Sequence, residues 1–151
     1  MQRIIISDTS CLIILDKIGE TLILKKLYGQ ITITSTIAQE FGQALPNWIS
    51  IEDATNKTYE NLLQTTVDRG EASAIALAVE LDNCLLILDD YKARRLASSL
   101  ELNFTGTFGL LVEAKLSGHL PSVRPILDKI KQTDFRISLE LESKILNRAG
   151  E

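Results

Sequence analysis

The sequence predicts an α/β fold, a three-layer α/β/α sandwich with a central parallel sheet. Three features of its patterning carry that expectation. Short apolar runs alternate with stretches of helical periodicity along the chain. The strand candidates are apolar throughout rather than alternating, as strands covered on both faces are. The runs also stop abruptly at good helix N-cap residues, Asp8-Thr9-Ser10 after the first and Asp89-Asp90 after the strongest.

Taken in order, residues 3–7 form a β-branched run and predict the first strand. A helical stretch follows from Cys11, and a second covers 22–27. Residues 31–34 predict the second strand, closed by Ser35-Thr36 with Gln39 three residues further on, a capping-box pattern. The third strand is expected at 48–51, crowded at its start by Pro46 and Asn47. Helices are expected at 56–66 and 70–81, and the fourth strand at 84–88. A helix over 90–100, a short last strand at 103–105, and helices at 108–116, 123–132 and 139–147 complete the reading. Length and the absence of repeats or linkers predict one domain over 1–151, with 121–151 as C-terminal helices.

Composition narrows the chemistry. The 151 residues are 45% hydrophobic and 24% charged, ordinary values for a soluble globular chain. No apolar run approaches the roughly 20 residues needed to cross a bilayer. The opening MQRIIISD lacks the organisation of a signal peptide. No membrane association and a reducing cytoplasm are the expectations. Cys11 and Cys84 stand alone in apolar runs and read as buried thiols. His119 is the single histidine and follows Gly118 at a helix exit, which leaves no partner for a nucleophilic triad. The net charge of −4 and pI near 5.1 count against a broad nucleic-acid-binding face, although an acidic cation site contributes negative charge of its own.

In a parallel sheet, ligands sit beyond the carboxyl ends of the strands, near a switch in strand order. The first strand leads there into Asp8, Thr9 and Ser10, the fourth into Asp89 and Asp90, and the last into Thr105-Gly106-Thr107. Glu40 lies on the margin of the apolar face made by Ile37, Phe41 and Leu45. Glu71 sits in the first turn of a helix that is apolar nearly all round. Each acid has an ordinary structural role available: Asp8 as an N-cap, Glu40 as a solvated helix residue, Glu71 as a complement to the helix dipole, one of Asp89 and Asp90 as a cap. One helix does not need both. Together the acids form a rim that stays ionised only if a cation neutralises it. Oxygen donors without His or Cys select Mg²⁺ or Mn²⁺. Phosphodiester hydrolysis is a reaction such a site runs.

The ordered segments IIISDTSCLI, TIAQEF, GEASAIALA and LLILDDYKARRLA, with TGTFGLLVEAKLSGHL and FRISLELESKILNRAGE at the end, resemble the PIN-domain ribonucleases, which include VapC-type toxins. The blocks are most similar to an uncharacterised prokaryotic PIN branch, and the similarity spans essentially the whole chain. The resemblance implies a PIN-like sheet between helices and an acidic Mg²⁺- or Mn²⁺-dependent pocket that cuts single-stranded RNA. It implies Asp8, Glu40, Glu71, and Asp89 or Asp90 as catalytic acids, the spacing to Arg-Arg-Leu-Ala leaning toward Asp90. Asp8, Glu71, Asp89 and Asp90 are the candidate metal ligands, and Ser10, Thr105 and Thr107 the supporting hydroxyls. Two departures stand out: Ile87 and Leu88 occupy positions where many members carry Thr or Ser, and Glu71 replaces a common Asp, so metal spacing shifts by a methylene.

Lys92 and Arg95 point outward together on their helix and are the candidate RNA contacts, against the ordinary role of a solvated charged face. Aromatics are 5% of the chain, which argues against a base-stacking platform. The expected function is a metal-dependent endoribonuclease, the toxin of a toxin–antitoxin pair, with RNA substrate, a small antitoxin partner and a homodimer. The alternative is a non-catalytic PIN-like module that binds RNA or protein. A dehalogenase-type phosphatase needs an acid at Ser10, a phosphoacceptor receiver needs paired acids after the first strand, and no Gly-rich phosphate loop is present.

Overall fold

Strands form where β-branched and leucine residues run together. The computed structural model describes residues 3–151, so Met1 and Gln2, which open both the expected domain and the MQRIIISD segment, lie outside the described residues. The strands are β1 (Ile4–Ser7), β2 (Ile31–Ile33), β3 (Ile49–Ile51), β4 (Cys84–Ile87) and β5 (Phe104–Thr105). Among the described residues nine helices flank them: α1 (Thr9–Lys17), α2 (Leu22–Tyr28), α3 (Ser35–Phe41), α4 (Lys57–Leu63), α5 (Arg69–Glu80), α6 (Tyr91–Ser99), α7 (Thr107–Leu116), α8 (Arg124–Lys131) and α9 (Leu139–Arg148). All strand pairs are parallel and the five strands lie in the order β3-β2-β1-β4-β5. This is the expected three-layer α/β/α arrangement with a central parallel sheet.

The order has one reversal. From β1 the chain moves outward through β2 and β3, then returns to place β4 on the opposite side of β1. β1 and β4 are in full register, from Ile4 opposite Cys84 to Ser7 opposite Ile87, so their carboxyl ends are level. Ile6, Leu86, Ile87 and Leu88 are completely buried, which explains why these strands carry no polar alternation. Cys11 and Cys84 are free and buried. The helix α5 packs on β1 and β4 and against α3, α4 and α6, and its Ala72, Ala74, Ala76 and Ala78 are small enough for that crowding.

The helix ends follow their caps. Asp8, Thr34, Asn56, Asp68, Asp90 and Ser138 each cap a helix through a side chain that accepts a backbone N–H. The box expected at Thr36 and Gln39 does not form. The cap of α3 is Thr34, whose hydroxyl takes the Ile37 N–H at 3.2 Å, because the strand ends one residue earlier. Gly42, at φ +71°, then ends α3 in the left-handed region, so Leu45 falls outside the helix and only Ile37 and Phe41 form its buried face. The helix α4 stops at Leu63 rather than Thr66, where Thr65 turns its hydroxyl back onto the Leu62 carbonyl. In α9, Ile145 and Leu146 enter the core, but Leu139 is 83% exposed at the first position and leaves the apolar stripe.

Candidate functional site

The level ends of β1 and β4 bring Asp8 and Asp89 together. Asp8 is 3% exposed, and both of its oxygens accept backbone N–H groups: Oδ1 from Cys11 in α1 and Oδ2 from Asp89, each at 3.0 Å. Asp8 is therefore a cap and a clasp across the strand reversal at once. Asp89 is held from the far side, with Oδ1 accepting the Thr107 N–H at 2.8 Å and Oδ2 the Thr107 hydroxyl at 2.6 Å. Asp90 caps α6, accepting the Ala93 N–H at 3.0 Å, and its charge lies near Glu71. The paired acids thus divide the work, Asp89 facing Asp8 and Asp90 starting the helix.

A second group of acids closes in from α3 and α5. A cavity of about 280 Å³ is lined by Asp8, Thr9, Ser10, Ile13, Glu40, Asp68 and Glu71. The Thr9 hydroxyl donates to Glu40 Oε1 at 2.6 Å, tying α1 to α3. Asp68 and Glu71 form a reciprocal capping box, with Glu71 N–H to Asp68 Oδ1 at 2.9 Å and Asp68 N–H to Glu71 Oε1 at 3.4 Å. Gly70 stands between them in the buried first turn of α5, and a Cβ there would run into the Glu40 carboxylate. Glycine at this point lets α3 bring its acid to the mouth of α5.

The crowding has an electrostatic signature. Burial, then the Asp89 charge, push the Asp8 carboxyl up to about 7 despite the two N–H groups that favour its ionised form. Burial, then Asp68 and Asp90, push Glu71 up to about 8. Among the described residues, no ion pair includes Asp8, Glu40, Asp68, Glu71, Asp89 or Asp90; the lysine pairs lie elsewhere. The chain gathers negative charge here and supplies no lysine or arginine ion pair to offset it.

Across Asp89 a larger cavity of about 610 Å³ opens, lined in part by Arg94, Phe104, Thr105, Gly106 and Thr107. Arg94 donates from Nε to the Leu88 carbonyl at 2.9 Å and lies over the Phe104 ring at 5.4 Å. Gly106 leaves room for both side chains: a Cβ there would meet Arg94 Nη2 at 2.6 Å and Asp89 Oδ1 at 3.0 Å.

Of the residues expected from sequence, Asp8, Glu40, Glu71 and Ser10 share the smaller cavity, while Asp89, Thr105 and Thr107 border the larger one. Lys92 and Arg95 are exposed on α6 and line neither cavity; Arg95 lies over the Tyr91 ring at 5.8 Å. Asp68 escapes the sequence reading: it hides in DRGE, whose cap-and-box spacing was the available signal. Thr9, beyond the end of the first strand, and Arg94, between Lys92 and Arg95, stand in segments the sequence singles out. Their contacts with Glu40 and with Leu88 and Phe104 are made only in the fold.

The donors suit a hard divalent cation: carboxylate and hydroxyl oxygens, without histidine or thiolate at the rim. Among the described residues no three acidic, histidine or cysteine side chains converge closely enough to form a closed cage. Mg²⁺ does not need one, because it keeps several waters and is commonly held by one or two carboxylates. The residues present fit an open, water-rich site.

A family model described as a PIN domain matches residues 4–151, nearly the whole chain. No curated protein matches the sequence. Among the described residues no helix is long and apolar enough to cross a membrane.

Proposed function

The chain belongs to the PIN-domain family, a fold of nuclease type, and on that premise we propose that it is a metal-dependent endoribonuclease. Its substrate is single-stranded RNA, whose phosphodiester bonds it hydrolyses as the toxin of a toxin–antitoxin pair. One observation carries the reading. Asp8, Glu40, Asp68, Glu71 and Asp89 gather at the strand reversal, and none of them is ion-paired to a cation of the chain among the described residues.

Asp8, Glu71 and either Asp89 or Asp90 would hold Mg²⁺ or Mn²⁺, with Glu40 as a further ligand or the group that orients water. Bound there, the ion supplies positive charge that acidifies water and neutralises phosphate oxygen. The chain's own residues do the positioning. Thr107 fixes Asp89 through both oxygens, Thr9 fixes Glu40, and two backbone N–H groups fix Asp8. Glu40 keeps one oxygen without a protein hydrogen bond among the described residues, and this oxygen is free to take the proton of attacking water. Water oxygen joins phosphorus, the P–O bond to the leaving oxygen breaks, and that oxygen ends protonated. In the free protein Asp8 and Glu71 hold protons up to about 7 and about 8, which must leave before either can act as a ligand, so metal affinity rises with pH through that range.

A second reading, a PIN-like module that binds RNA or protein without cutting, draws on one observation: Asp8, Asp68 and Asp90 each do ordinary duty as helix caps. Labelled single-stranded RNA incubated with Mg²⁺ or Mn²⁺, beside the Asp8→Asn, Asp89→Asn double variant and an EDTA control, separates the two. Cleavage lost in the variant and in EDTA supports the nuclease. Equal cleavage by the variant, or none by the wild type despite calorimetric metal binding, sinks it. The toxin role calls for a small antitoxin partner and a homodimer; growth arrest on expression, relieved by the adjacent reading frame, and solution molar mass are their tests.

A further inference from the structure

We infer that the larger cavity beyond Asp89 is a subsite for one nucleotide of single-stranded RNA, its base stacked on phenylalanine and its phosphate held by Lys144 and Arg148. This rests on the nuclease reading and deepens it by naming where the substrate lies.

The chain has four phenylalanines, and three of them, Phe104, Phe108 and Phe135, line this cavity. They come from the first residue of β5, the first turn of α7 and the segment between α8 and α9. Phe108 and Phe135 are tilted at 54° with centroids 6.0 Å apart, so they do not stack on each other. Phe135 is 37% exposed. A flat aromatic base can cover it. The low aromatic content argued against a stacking platform, but composition counts rings and cannot see that the fold gathers them.

Cations line the same cavity. On α9, Leu141, Lys144, Ile145 and Arg148 follow at i, i+3, i+4 and i+7 and form one face. Ile145 enters the core, while Lys144 and Arg148 stay exposed at the rim. Lys144 has an exposed ion pair with Glu140 at 3.6 Å, which competes little with a phosphate. Arg94 and Arg148 belong to no ion pair among the described residues. In a chain of net charge −4, three cations lie around one cavity whose only lining carboxylate among the described residues is Asp89. Rings for a base, cations for a phosphate, and Asp89 of the acidic centre in the lining match a nucleotide of a continuing RNA strand. A hydrophobic peptide would use the rings and leave the cations idle. The volume, about 610 Å³, lies within the range of small-ligand sites, roughly 300–1,000 Å³.

The test uses the full chain with a short single-stranded oligoribonucleotide carrying 2-aminopurine, in Ca²⁺ to hold cleavage back. Binding is read by anisotropy and stacking by quenching. Phe135→Leu keeps bulk and loses the ring face; it should weaken binding about 10-fold and abolish quenching, while Phe135→Tyr should restore both. Lys144→Ala with Arg148→Ala should flatten the slope of log affinity against log salt by about 0.7 per lost phosphate contact. Thermal melts confirm that each variant is folded. Unchanged affinity, quenching and salt slope in the folded variants overturn the subsite, as does loss of binding to a co-expressed antitoxin protein with RNA binding intact. RNA bound with these signatures but never cut in Mg²⁺ upholds the subsite and refutes the nuclease. Cutting with unaltered KM in the variants refutes the subsite alone.

Discussion

The two cavities on either side of the Asp8–Asp89 contact are built of opposite materials. The smaller is lined by carboxylates fixed through backbone: Asp8 and Asp68 cap helices, Glu71 closes a capping box, and only Glu40 reaches in from a helix flank. The larger is lined by rings and long cationic side chains on β5, α6, α7, α9 and a connecting segment. The first is rigid in position and strained in charge. The second is adaptable in position and, apart from Asp89, free of like-charge crowding with acids. A site that does chemistry benefits from fixed donors, whereas one that accommodates a flexible strand benefits from side chains that adjust.

The largest effect that sharpens this contrast is the pH dependence of stability without metal. Asp8 ionises near 3.8 in the unfolded chain and at about 7 in the fold; Glu71 near 4.5 and at about 8. Between those limits the native state holds more protons than the unfolded one, so stability falls as pH rises from about 4 to about 8 and levels off above. The loss should reach a few kcal/mol, most of it from buried Asp8. Melts across pH should show the decline, Mg²⁺ should reverse it above pH 7, and Asp8→Asn should remove most of it. A metal-free melting profile that rises over this range breaks the picture of an uncompensated acid cluster.

Next comes the support of Asp89. Thr107→Val keeps shape and removes the hydroxyl that donates to Oδ2, leaving the backbone N–H in place. The half-buried carboxylate loses one partner, at about 1 kcal/mol. Cleavage should drop by about 10- to 100-fold, as for groups that orient metal ligands. RNA binding in Ca²⁺ should fall less than cleavage, since Thr107 holds an acid and no ring. Equal losses in binding and cleavage would place Thr107 in the larger cavity's work instead.

These residues also show what the sequence makes legible. Asp8 and Asp89 were readable because strands end where apolar runs end, and parallel sheets put ligands at those ends. The division between Asp89 and Asp90 was not, because adjacent residues leaving a strand differ by a rotation that only the following cap decides; the geometry joins Asp89, rather than Asp90, to Asp8. Asp68 lay two residues before the expected helix limits and passed for loop. Phe135 is separated from Phe104 and Phe108 by most of α7 and all of α8, so their meeting is a property of the fold. The helix boundaries shifted for a similar reason: Thr34 and Thr36 are equally good caps in isolation, and β2 ends in time for the first.

A smaller effect comes from Gly70→Ala. Alanine in the first turn of α5 favours the helix by up to about 1 kcal/mol, while its Cβ displaces the Glu40 carboxylate, the end of a flexible side chain. Stability should therefore change little, and cleavage should fall several-fold as the Thr9–Glu40 bond breaks. A variant with normal cleavage would remove Glu40 from the acidic group and leave α1 and α5 to hold it.

The smallest effect is the most discriminating for the RNA path. Lys92 and Arg95 follow the paired acids in sequence and were the natural candidates for phosphate contacts, yet both are exposed on α6 away from either cavity. Arg95 lies over Tyr91, itself exposed, an arrangement that covers surface rather than opening a groove. Lys92→Ala with Arg95→Ala should shift stability by less than about 0.5 kcal/mol. RNA affinity should fall only through the loss of net positive charge, with a salt slope closer to wild type than that of the Lys144→Ala, Arg148→Ala pair. Both double variants remove the same formal charge, so a general electrostatic effect moves them equally and a localised path separates them. If the α6 pair costs more affinity, the strand runs over α6, and the division between a fixed acidic cavity and an adaptable aromatic one no longer describes how RNA meets this edge.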